Sequence, residues 1–76
     1  MGVKKVYRYP IIIERTKYNY SAYSPDLPGC VATGATIKET LSRMRSAIKF
    51  HLKGLKEEGS EILEPSTKVK YIEISL

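Results

Sequence analysis

The sequence predicts an α+β fold with two layers, a long helix laid on one face of a small antiparallel sheet. Three observations predict it. Short runs of β-forming residues, many of them at period two, occupy residues 3–33 and return at 68–76. Between them, Ile37, Leu41, Met44, Ile48, Leu52 and Leu55 recur at helical spacing and make one apolar stripe. The joints between these runs carry the residues that stop regular structure, above all Pro25, Pro28 and Gly29. The order is β-β-β-α-β. Consecutive strands with short connections predict an antiparallel meander. The helix then brings a return strand back by a right-handed crossover.

Each element has a local reason. In residues 3–15, Tyr7, Tyr9, Ile11 and Ile13 share one face, and Val6 and Ile12 point the other way. Pro10 cannot donate to a ladder, so this strand bends or restarts there. Residues 14–17, Glu-Arg-Thr-Lys, read as a turn. In residues 18–23, Tyr18, Tyr20 and Ala22 alternate with Asn19, Ser21 and Tyr23. The next six residues, Ser24-Pro25-Asp26-Leu27-Pro28-Gly29, form a stiff loop. Each proline fixes its own φ and pushes its predecessor toward extended geometry, and Gly29 admits angles closed to other residues. Residues 30–33 make a third strand. Gly34 lies in a run of small residues leading to Thr36, which with Glu39 forms a capping box. The helix continues for about 22 residues to Gly59, a left-handed cap. Pro65 keeps the following loop out of helix. In residues 68–76, Val69, Tyr71 and Glu73 alternate with Ile72, Ile74 and Leu76.

At 76 residues the chain is one domain, residues 1–76. So small a core predicts stabilisation by a homo-oligomer. A single cysteine permits no internal disulfide, and Cys30 reads as a small buried apolar residue. No apolar run approaches membrane-spanning length, and the first ten residues lack a signal-peptide core. A cytoplasmic location without membrane partners is the expectation.

The net charge is +5, from 13 basic and 8 acidic residues. Lys38, Arg45, Lys49, Lys53 and Lys56 fall within a sector of roughly 80° of the helix. This ridge is the candidate nucleic-acid surface, and it is equally the solvated side of an amphipathic helix. Phe50 lies nearly opposite the apolar stripe, which marks it for contact with a loop or another chain. His51 has no second ligand at metal spacing and reads as a partly buried, hydrogen-bonded helix histidine. Asp26 is the one aspartate, and its default role is to satisfy local backbone donors. Glu14, Glu39 and Glu73 fall on separate elements, so no carboxylate triad for metal-dependent hydrolysis is read. Serine-nucleophile, P-loop and dinucleotide motifs are absent. The reading is a non-enzyme with no cofactor and no metal.

The central stretch resembles the HicB family of antitoxins. The resemblance rests on Tyr23-Ser24-Pro25-Asp26-Leu27-Pro28-Gly29-Cys30, then Ala32, Thr33, Gly34 and Thr36. It continues with Glu39, Ala47, Ile48, His51, Leu52 and Gly54. It implies a partial RNase H-like fold without nuclease activity. It also implies binding and neutralisation of a small mRNA-cleaving toxin of HicA type by masking. Longer members of the family carry a C-terminal DNA-binding domain, which this chain is expected to lack. The candidate partner surface is Pro25, Asp26 and Leu27 in the loop, with Tyr20, Tyr23 and Phe50. Two alternatives stand beside the antitoxin reading: a small basic nucleic-acid-binding protein using the helix ridge, and an orphan HicB-like domain with no toxin partner. A remnant metal-dependent nuclease is the third.

Overall fold

The computed structural model describes residues 5–76. Three strands, β1 (Ile12–Arg15), β2 (Tyr20–Tyr23) and β3 (Val31–Gly34), precede one helix, α1 (Ile37–Glu57). The strands form an antiparallel sheet in the order β1-β2-β3. Its register places Ile13 opposite Ala22 and Ala22 opposite Ala32. The expected meander and single helix are both present.

Alternation assigns the faces. Ala22 is fully buried beneath the helix. Ile13 and Ala32, its cross-strand neighbours, pack on the same core, as do Tyr9 and Ile11 at period two. The core itself is small: Ala22, Leu27, Cys30 and Met44. Ile12, Tyr23 and Val31 form the matching row on the open face.

The first strand is shorter than its β-forming residues suggest. It begins two residues after Pro10, the break that proline imposes. The hairpin turn is held by Thr16, whose N–H bonds the Asn19 carbonyl at 2.7 Å and whose Oγ1 accepts the Asn19 N–H at 3.0 Å. Val3 and Lys4, placed in the first strand on sequence grounds, lie outside the described residues.

Helix α1 is capped at both ends as its sequence predicts. Thr36 Oγ1 accepts the Glu39 N–H at 3.0 Å. Glu39 reaches back one residue beyond the usual box, to the Ala35 N–H at 3.2 Å, and also pairs with Arg43. At the far end Gly59 has φ +76°. The Gly59 N–H bonds the Lys56 carbonyl and the Ser60 N–H bonds the Leu55 carbonyl, a Schellman closure. At the near end Gly34 has a different duty. A Cβ there would sit 2.7 Å from Thr40 Oγ1 and 2.9 Å from the Thr40 nitrogen, so only glycine lets the helix lie this close to β3.

Two expectations are corrected. Residues 68–76 form no strand and no crossover is completed, because this segment makes no backbone hydrogen bond to the described residues. Its apolar side chains stand in solvent, with Ile72 85% and Ile74 76% exposed. The helical stripe is correspondingly under-covered. Met44 is buried, Ile48 and Leu52 are half-buried, and Ile37 and Leu41 are exposed. A three-stranded sheet is too narrow to cover a stripe written for four.

Candidate functional site

The loop after β2 is built from two successive turns. The Leu27 N–H bonds the Ser24 carbonyl at 3.2 Å, and the Cys30 N–H bonds the Leu27 carbonyl at 3.1 Å. Gly29 takes φ +87°, the left-handed angle anticipated for it. The turns push Leu27 inward to 7% exposure and leave Pro25 and Pro28 outside. Leu27 is therefore a core anchor and not a contact residue, which corrects its place in the predicted partner surface.

Asp26 does not serve its own loop. Its Oδ1 accepts the Ser66 N–H at 3.0 Å and the Thr67 N–H at 3.2 Å, and both hydroxyls at 3.2 Å. The Ser66 N–H foremost holds its carboxyl below the usual aspartate range, against a smaller upward push from burial. Forty residues separate these partners, so neighbouring sequence offers no sign of them. Tyr9 Oη donates to the Leu63 carbonyl at 2.8 Å, and Lys5 pairs with Glu64. The chain after the helix is thus tied to the loop and the N-terminal segment up to Thr67. The tie makes Asp26 a clamp, and it corrects the reading of Asp26 as a satisfier of local donors.

Two grooves flank the helix. The one on the β3 side, about 380 Å³, is lined by Gly29, Cys30, Val31, Phe50, His51 and Leu55, among others. Phe50 is 81% exposed and Val31 64%. His51 is half-buried and makes no hydrogen bond to the described residues, contrary to the default expected of it. Val31 was not singled out from the sequence, although its alternation with Ala32 points it away from the core. Tyr23 lies on the open face beside Val31, 39% exposed. Tyr20 shares the helix-covered side with Ala22 and is half-buried. Burial raises the Cys30 thiol above its ordinary pKa, as its core role requires.

The groove on the β1 side, about 650 Å³, runs between Val6, Tyr9 and Ile11 on one wall and Leu41, Met44 and Ile48 on the other. Arg45 and Lys49 stand along it. The basic residues Lys38, Arg45, Lys49, Lys53 and Lys56 are all exposed. Among the described residues no group of three or more His, Cys, Asp or Glu side chains could hold a metal ion. No helix among the described residues is long and apolar enough to cross a membrane.

A narrow sheet, one capped helix and a proline corner define a small α+β domain with exposed apolar grooves and no gathered polar centre. Comparison with known proteins places it. Residues 9–74 match the family described as HicB_like antitoxin of bacterial toxin-antitoxin system, and the chain belongs to that family. The crystal structure of the N-terminal domain of Burkholderia pseudomallei antitoxin HicB superposes with a TM-score of 0.73 at 31% identity. That match covers 78% of this chain and 72% of the other. An uncharacterized 14.9 kDa protein from the rep-hol intergenic region of Haemophilus phage HP1 is 36% identical over 64 residues. That stretch is 84% of this chain and 48% of the phage protein, so the chain spans about half the length of this relative. A UPF0150 protein of Thermoplasma acidophilum is 34% identical over 56 residues, 72% of this chain and 81% of the relative.

Proposed function

We propose that this chain is an antitoxin module that neutralises a small mRNA-cleaving toxin of HicA type by covering it, with no catalysis of its own. Phe50 carries the reading: a large aromatic side chain, 81% exposed, beside Val31 and the proline corner. Aromatic anchors of this kind dominate protein interfaces. Tyr23, Pro25 and Val31 extend the same contact, and Asp26 supports it by holding the loop. We read the acting species as a homo-oligomer and its location as cytoplasmic.

The test uses a purified HicA-type toxin, with mRNA cleavage and binding affinity as readouts. Phe50→Asp should weaken binding at least about 30-fold, the loss of one hot spot. An unchanged affinity would remove this surface from the proposal. A second reading, nucleic-acid binding along Lys38, Arg45, Lys49, Lys53 and Lys56, is favoured by the exposure of all five on one helix. Retention of RNA or DNA over a salt series, with a steep slope lost on Lys49→Ala and Lys53→Ala together, would select it. Failure to bind either the toxin or nucleic acid would leave an orphan HicB-like domain.

A further inference from the structure

We propose that residues 68–76 of one copy form a fourth strand in the β1-side groove of a second copy, and that two copies exchange these strands reciprocally. This specifies the homo-oligomer read above and rests on that reading, but not on the toxin.

The tail is written as a strand. Ile72, Ile74 and Leu76 share one face at period two, and all three are exposed. From Lys68 onward the chain makes no hydrogen bond, ion pair or core contact with the described residues. An apolar strand left with both edges open is a liability that folded proteins cover.

The groove is the matching vacancy. Among the described residues β1 bonds only β2, and residues 6–11, which lead into β1, form the wall of the groove. Leu41 is 42% exposed along the same side of the helix, where a fourth strand would shield it. Residues 6–15, the wall and its edge strand, span about 33 Å when extended, and a nine-residue tail about 30 Å. The tail therefore fits the edge in length, and its isoleucine face fits the groove in chemistry.

The tail does not fill the groove of its own chain. Asp26 fixes Ser66 and Thr67 at the proline corner, and the tail leaves from there into solvent. The molecule extends 53 Å along its longest axis, well beyond the about 32 Å of its helix. Its radius of gyration, 14.8 Å, exceeds the about 11 Å expected of a closed chain of this length. A second copy offers the same groove, and two-fold exchange satisfies both tails at once. With nine tail residues, ten wall residues and the facing helix side chains, each copy contributes about the 20–30 residues of a stable interface.

The experiment uses the full chain. Light scattering after size exclusion should give twice the monomer mass of 8.6 kDa. Ile72→Asp with Ile74→Asp should return the mass to that of a monomer. Its helical circular dichroism should be unchanged, because the tail makes no core contact with the described residues. In a sample mixing two isotope labels, intermolecular NOEs should join the Ile72 and Ile74 methyls to those of Leu41 and Ile48. A monomer at millimolar concentration overturns the proposal. So does a dimer that survives the double substitution, NOEs found only within a chain, or a tail that orders only on a toxin. Loss of toxin binding by Phe50→Asp without change of mass separates the two proposals.

Discussion

Gly34 and Cys30 show how one residue sets the packing here. The Gly34 position faces the backbone nitrogen and Cα of Thr40 as well as its Oγ1, so a rotamer change of Thr40 alone cannot relieve the clash. Gly34→Ala should cost about 1–3 kcal/mol in urea unfolding. A loss below a few tenths would mean the helix shifts freely. Thr40, fully buried, satisfies its hydroxyl by donating to the Thr36 carbonyl at 2.7 Å. Cys30 lies at 6% exposure with its thiol pKa raised by burial. At pH 7 a thiol reagent should label the native protein more than about tenfold more slowly than the urea-unfolded chain. Equal rates would place the thiol outside the core. The glycine and the cysteine were both visible in the sequence as small residues, but the contact that makes Gly34 necessary was not. It lies between a strand and a helix, and no spacing rule encodes it.

The helix is the element most legible in advance. Thr36, Glu39 and Gly59 were all read as caps, and all three act as caps. Capping depends on residues within one turn of each other, which is why sequence exposes it. Thr36→Ala should remove about 1 kcal/mol of stability, read as a lower urea midpoint with an unchanged slope. No change would assign the cap to Glu39 alone. The extent of the stripe was also legible, but not its coverage. Met44 is buried while Ile37 remains 48% exposed on the same stripe. Periodicity identifies the side of a helix that seeks burial. It does not count the strands available to provide it. The same limit applies to the candidate contacts. Phe50 is exposed, as its angle on the helix predicts, whereas Leu27, offered to a partner, is buried in the core and Tyr20 is half-buried on the helix-covered side.

Across the whole molecule, the clamp at Asp26 governs where the chain goes after its helix. The folded carboxyl titrates below the ordinary aspartate range, so its contribution is complete above that range. It is lost as pH falls through the folded value. The Ser66 and Thr67 amide resonances should therefore move together in acid, with a midpoint below the usual aspartate pKa of about 3.9. A midpoint at or above that value would mean the carboxylate gains nothing from these donors. Asp26→Ala should release both amides at every pH.

What the sequence determined by itself is local: three short strands, a doubly capped helix, a proline corner with a left-handed glycine, and membership of the HicB-like family. These rest on interactions within a few residues, where residue type and spacing carry the information. The tertiary structure decided the rest. It turned Leu27 inward, bound Asp26 to residues forty positions away, and left the predicted return strand without a pairing partner among the described residues. A strand states its own periodicity but not its neighbour. The choice of neighbour depends on which edge is open and where the preceding chain is held.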